Sequence, residues 1–252
     1  MQPIKIYDGI PYQKEGVTMF QHKRANKKKL AKMGRKLVTV ANSNSFVSEQ
    51  FRTIRTNITF AMPDQEIKTI LVTSATPGEG KSTNVANLGV VFAQEGKKIV
   101  IVDADLRKPT MHYTFRLPNI RGLSNLLTRQ YEMADVLHST DIPNLFVMTS
   151  GPIPPNPAEL LASKTMDSVI VQLIKDFDII IFDAPPLLSV TDAQILSNKC
   201  HGTLLIVNSG VVENTSVLKA KLSLEASKAN ILGVVLNNYK TPLGEYYDHY
   251  YQ

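Results

Sequence analysis

Residues 67–88 read IKTILVTSATPGEGKSTNVANL, and their succession of apolar, turn and helix-forming residues decides the fold. IKTILVTSA (67–75) is a near-continuous apolar run, the kind found in a strand buried on both faces. It breaks into a glycine-bearing loop, and KSTNVANLGVVFAQEG (81–96) follows as a helix closed by Gly96. Strand, loop and helix in that order are the setting of a phosphate-binding loop. Gly78 and Gly80 let the backbone turn and aim N–H groups at phosphate oxygens. Lys81 reaches the β and γ phosphates, Ser82 offers a hydroxyl to Mg²⁺, and the helix sets its positive end against the anion. Pro77, Gly78, Glu79, Gly80, Lys81, Ser82 and Thr83 are therefore the expected ATP-binding set. The pattern G-x(4)-G-K-[ST] departs at one place, where Ala75 stands for its first glycine.

Outward from this loop, strand and helix signals alternate. KKIVIVDAD (97–105), NLFVMTSG (144–151), DIIIFDAPP (178–186), TLLIVNS (203–209) and ILGVVLNN (231–238) read as strands. One or two helices are expected within 156–175, and another over 211–228. Ahead of the loop, SFVSEQFRTIRTNITFAM (45–62) spaces Phe46, Phe51, Ile54, Ile58 and Phe60 as an amphipathic helix capped by Ser45 or Ser48. The stretch between 106 and 143 reads as irregular. Buried-type strands alternating with helices predict a mostly parallel α/β sheet with helices on both faces.

Two strands end in acids. IVDADLRKP carries Asp103 and Asp105, which strand alternation would point to one side. IIIFDAPP puts Asp183 after four apolar residues, the form of a carboxylate that holds Mg²⁺ directly or through water. Ligands of open α/β sheets bind at the carboxyl ends of the strands, so the three acids converge beside the loop. Three exceed what binding Mg–ATP requires, and one is free to accept a proton from an attacking hydroxyl.

Bulk composition fits a globular chain of 252 residues with 43% hydrophobic residues. The single cysteine, Cys200, excludes an internal disulfide framework and fits a reducing compartment. No apolar run reaches the roughly 20 residues of a membrane span and no signal-peptide pattern opens the chain, so a cytoplasmic protein is expected. Residues 23–36, KRANKKKLAKMGRK, carry eight Lys or Arg and no acid. They read either as a solvated linker or as a membrane or partner surface. The run has no interleaved aromatics to stack on bases, and nucleic acid is not expected. Residues 1–40 form an arm or linker, 41–238 the nucleotide-binding domain and 239–252 a tail. That tail holds five of the nine tyrosines, with Tyr246, Tyr247, Tyr250 and Tyr251 among the last seven residues.

The loop, the DxD strand end and the second acidic strand, in this order, resemble the ParA/MinD branch of P-loop NTPases. Within it the sequence is most similar to the bacterial tyrosine kinases of capsule and exopolysaccharide synthesis. IVDADLRKP (101–109) and IIIFDAPP (179–186) match that family's further Walker motifs, and Tyr246 to Tyr251 match its tyrosine-rich tail. EQFRTIR matches its oligomerisation motif E-x-x-R-x-x-R and gives Glu49, Arg52 and Arg55. Positioning ATPases of the branch carry a lysine where this chain has Thr76, which argues against their nucleotide-sandwich dimer.

The resemblance implies a tyrosine autokinase that uses ATP and Mg²⁺. Lys81, Asp103, Asp105 and Asp183 are its catalytic set, with Asp103 favoured over Asp105 as the base. Ser82, Asp105 and Asp183 are the metal set, and Tyr246, Tyr247, Tyr250 and Tyr251 the phosphoacceptors of an adjacent subunit. It places Asn237 against the adenine, although a strand-end turn would read the same. It also implies a homo-oligomeric ring, an octamer in the family. A transmembrane adaptor with an activating cytosolic tail, a tyrosine phosphatase and polysaccharide-synthesis enzymes are its expected partners, at the inner face of the cell membrane. Residues 1–26 read either as such an adaptor tail fused ahead of the kinase or as an ordinary arm. Glu49 and Arg52 would equally form a plain pair within one helix. The rival readings are a ParA/MinD-like positioning ATPase, a nucleotide sensor whose tyrosines serve another kinase, and a tail that merely packs.

Overall fold

The computed structural model describes residues 37–63 and 65–239. Residues 1–36 of the N-terminal arm, with the basic run, and Tyr246 to Tyr251 lie outside the described residues, while residues 37–40 of the arm enter the first helix. In chain order the elements are α1 (Val38–Ala41), α2 (Phe46–Phe60), β1 (Thr69–Ser74), α3 (Lys81–Gln94), β2 (Ile99–Asp103), α4 (Met111–Thr114), α5 (Leu123–Leu127), α6 (Met133–Val136), β3 (Leu137–Ser139), β4 (Leu145–Met148), α7 (Pro157–Ala162), α8 (Lys164–Asp176), β5 (Ile179–Asp183), α9 (Asp192–Ser197), β6 (Gly202–Asn208), α10 (Asn214–Ala226) and β7 (Ile231–Asn237). The strands form one sheet in the order β3-β4-β2-β5-β1-β6-β7. Every pairing is parallel except β3 with β4.

Pleating divides the apolar residues of each central strand between two cores. From β1, Leu71 joins one with Val100, Val102, Ile180, Phe182 and Leu205, and Leu161, Leu173, Leu196 and Leu224 of α7 to α10 close it. Ile70 and Val72 join the other with Ile101, Ile181 and Ile206, against Phe51 and Ile58 of α2 and much of α3. This explains why the strands read as unbroken apolar runs: both faces are covered. α3 presses close to the sheet at Gly89, where an added Cβ would come within 2.6 Å of Ile101 Cδ1. Its polar residues are buried as well: Asn87 Oδ1 accepts from the backbone and hydroxyl of Thr39, which ties α1 to the core.

The expected elements recur with trimmed ends. α2 is capped by Ser45, whose hydroxyl accepts from Ser48 N, while Ser48 donates back to Asn42 O. The 156–175 region is two helices, broken at Ser163, which caps α8. Four elements fall where irregular chain was expected: α4, α5, α6 and β3. None exceeds five residues, too short to show a period.

Candidate active site

β1 and β5 are neighbours in register, and β2 lies beyond β5. The loop after β1 and the acids at the ends of β2 and β5 therefore share one edge of the sheet. Gly78 and Gly80 have φ of 85° and 90°, in the left-handed region that glycine enters without strain. Gly80 is needed for a second reason, since a Cβ there would fall 2.1 Å from Asn237 Nδ2. α3 starts at Lys81 and buries Ser82 in its first turn.

The loop is held from three sides. Glu79 is buried, and its carboxylate accepts from Thr76 N and Thr76 Oγ1 and, through its other oxygen, from Asn208 N at the end of β6. Asn237 Nδ2 donates to Glu79 O at 2.9 Å. The turn after Asp183 is bonded to the loop's entry, with Leu187 N donating to Ser74 O and Leu188 N to Ala75 O. Glu79 thus shapes the loop, and its side chain is committed to protein. A cavity of about 230 Å³ opens beside Pro77 and Gly78, walled by Asn208, Val211, Val212 and Glu213. The larger cavity, about 610 Å³, lies by Met62, Lys97 and Asp178 and contains none of the expected site residues.

The lysine and the three acids meet. Lys81 Nζ is 3.1 Å from Asp105 Oδ2 and 3.8 Å from Asp183 Oδ1. Burial pulls against the ammonium, but Asp183 and Asp105 outweigh it and hold the pKa above its ordinary value. Asp103 and Asp183 are register partners across β2 and β5, and both are fully buried. Asp103 Oδ2 accepts from Thr110 N and Met111 N, and Oδ1 accepts no hydrogen bond among the described residues. Burial, then the Asp183 carboxylate, push the Asp103 pKa up to about 8 against those two bonds.

Asp105 lies beyond the end of the strand. β2 stops at Asp103, so the pleat does not carry Asp105, which is placed by a bond from Lys108 N to Oδ1 and by Lys81 on Oδ2. Of the expected metal set, Ser82 and Asp183 are buried, and both Asp183 and Asp105 face Lys81, which a metal ion would have to displace from Asp105. Among the described residues no group of three or more His, Cys, Asp or Glu forms a metal cage. A divalent ion here must draw most of its ligands from phosphate and water, which suits Mg²⁺.

Glu49 pairs with Arg52 within α2, and Arg52 also donates to Ser43 O. Arg55 donates to Val91 O in the last turn of α3 and lies 3.7 Å from Glu95. The sequence did not expose the partner of Arg107. Its Nε and Nη2 donate to the two carboxylate oxygens of Asp192, which is fully buried at the start of α9. The residues stand 85 apart in sequence, and an arginine two places after Asp105 was the sole hint.

A family model described as an AAA domain matches residues 67–219. The tyrosine-protein kinase YwqD of Bacillus subtilis is 46% identical over 220 residues, 87% of this chain and 93% of that protein. The chain belongs to the bacterial tyrosine-protein kinases. A crystal structure of the chimerical protein CapA2B2 is 45% identical and superposes with a TM-score of 0.79 over 82% of this chain and 93% of that one. The cell division ATPase MinD of Pyrococcus furiosus, 26% identical, aligns with a TM-score of 0.60 over 68% of this chain and 72% of its own. The fold is therefore that of the MinD-like P-loop ATPases, and the chain is a protein-tyrosine kinase that binds ATP with a divalent metal.

Proposed function

We propose that this kinase passes the γ-phosphate of ATP to Tyr246, Tyr247, Tyr250 and Tyr251 of an adjacent subunit in a homo-oligomeric ring, and so regulates capsular polysaccharide synthesis and export. The observation that carries the reading is the convergence of Lys81, Asp103, Asp105 and Asp183 at one strand edge, in a chain that gathers its tyrosines at one end.

The phosphates lie on the loop from Pro77 to Thr83, cradled by N–H groups that Gly78 and Gly80 turn inward. Lys81 leaves Asp105 to meet the γ-phosphate, offsetting charge that grows on its oxygens. Ser82 and Asp183 would hold Mg²⁺, which would offset negative charge on the β- and γ-phosphates. Asp103 takes the phenol proton at Oδ1, which has no hydrogen bond among the described residues; a divalent ion on Asp183 would offset the charge that raises its pKa and so keep it ionised for that role. The phenol oxygen bonds to the γ-phosphorus as the bond to the ADP oxygen breaks. Asn237 has given its amide nitrogen to the loop, and its Oδ1 is left to accept from an adenine amino group. The 230 Å³ cavity beside Gly78 takes the base.

Tethering to a ring neighbour would present the tail at an effective concentration on the order of millimolar. Glu49, Arg52 and Arg55 contribute to the contact between neighbours. A membrane adaptor holds the kinase at the inner face of the membrane, a reading favoured by the likeness to the CapA2B2 chimera. Incubation with Mg–ATP, followed by mass-spectrometric mapping, tests the central step. Phosphate on Tyr246 to Tyr251 in the parent and none in Lys81→Met is the expected result. ATP consumption without phosphotyrosine would contradict it.

A further inference from the structure

Residues 106–131 contain Arg107, Lys108, Arg116, Arg121 and Arg129 and no Asp or Glu. All five basic residues are exposed. Among the described residues the sole acid paired with any of them is Asp192, on Arg107. The segment follows Asp105, two residues past the end of β2, and is held at the same edge as the acids. Arg121 O accepts from Thr149 Oγ1, and Asn119 Nδ2 donates to Gly151 O, both just past the end of β4, the neighbour of β2. Two large apolar side chains stand exposed there: Ile120 at 75% and Ile153 at 64%. A basic, partly apolar rim therefore starts beside Asp105 and continues past the carboxyl end of β4.

We infer that this rim is the acceptor-docking surface of the kinase and that it takes the acidic tyrosine segment GEYYDHYYQ (244–252) of a second copy of this chain. The inference rests on the reading of that tail as the substrate. Charge complementarity selects the occupant. Glu245 and Asp248 alternate with the tyrosine pairs, and the segment has no Lys or Arg. Such a segment approaches a site of three carboxylates and a polyphosphate, where Lys81 is the cation ion-paired to the acids among the described residues. Without compensating charge it would be repelled. Arg107 gives the rim a fixed element, since two of its donors are locked on buried Asp192 while part of the guanidinium faces solvent. Lys108 adds an exposed charge, Arg121 adds another held 4.6 Å over the Tyr131 ring, and the isoleucines offer apolar contact to the phenol rings.

The test offers the full chain two free peptides, GEYYDHYYQ and its neutral analogue GQYYNHYYQ, and follows the labelling of each by mass. The acidic peptide should be preferred by about 3- to 10-fold in kcat/KM at low salt, through KM, with the preference fading as salt is added. Lys108→Gln/Arg116→Gln/Arg121→Gln should lose the preference and keep its affinity for ATP. These are surface changes, and an unchanged melting temperature would show the variant folded. Equal use of the two peptides by the parent, or a preference that survives in the variant, would overturn the docking surface. Labelling of the chain's own tail with neither peptide modified would overturn it too. No phosphotyrosine on either peptide or tail would overturn the substrate reading beneath it, and the inference with it.

Discussion

The Lys81 ammonium stands 3.1 Å from Asp105 Oδ2, so the lysine proposed to meet a nucleotide phosphate is already pinned to an acid of the neighbouring loop. The contact keeps a buried cation and a buried carboxylate paired until phosphate replaces the carboxylate. Lys81→Met should remove phosphate transfer and also leave Asp103, Asp105 and Asp183 without their cation. Loss of one partner from a buried pair costs on the order of 3–5 kcal/mol. Denaturant unfolding of the nucleotide-free variant should show that loss, partly recovered in Lys81→Met/Asp105→Asn.

Asp103 gives the nucleotide-free protein a signed pH dependence. Its folded pKa, about 8, lies above the ordinary carboxylate value because of burial and Asp183. Between about pH 4 and 8 the folded chain keeps a proton that the unfolded chain has released. Stability should therefore fall as pH rises across that window and level off above it. Asp103→Asn keeps an oxygen for Thr110 N and Met111 N, flattens the slope and raises stability at pH 8. The same change should slow phosphate transfer by roughly 10²- to 10⁴-fold if Asp103 is the base. Melting curves at pH 5.5 and 8.5, read beside activity, separate the two effects.

Gly80→Ala meets both the left-handed backbone and Asn237. The backbone term alone costs about 1–2 kcal/mol. Adding Asn237→Ala should relieve the clash and leave that term in place. ATP affinity should fall in the single variant and recover in part in the double.

Much of this site was legible because its chemistry is local in sequence. The loop from Ala75 to Thr83 and the acid-ended strands each lie in one short stretch, and apolar runs announced the sheet that assembles them. The links between loops were not legible. Glu79 reaches Asn208 and Arg107 reaches Asp192 only after the sheet has brought residues 129 and 85 apart together. The partners of Asp105 were not legible, because β2 ends at Asp103 and Asp105 is held instead by Lys108 N and Lys81. The elements of 106–143 escaped because four- and five-residue helices carry no period.

Arg107→Met should destabilise by about 3 kcal/mol, the lower end for a broken buried pair because the guanidinium is partly solvated. Asp192→Asn should cost less, since it leaves no buried charge behind. Thermal unfolding of the two variants checks the order.

The pair of Glu49 with Arg52 is partly exposed and lies within one helix, worth a few tenths of a kcal/mol. Glu49→Ala should leave the melting temperature of the chain almost unchanged. A fall in sedimentation coefficient in the same variant would then report a contact between copies.

Transfer between copies is measured most directly by mixing two variants. One carries Tyr246, Tyr247, Tyr250 and Tyr251 all changed to Phe and keeps Lys81; the other carries Lys81→Met and keeps its tyrosines. With Mg–ATP, neither alone should gain phosphate on the tail, and the mixture should gain it on the Lys81→Met chain. An unlabelled mixture, beside a parent that labels its own tail, would show that each chain modifies itself and contradict transfer between neighbours.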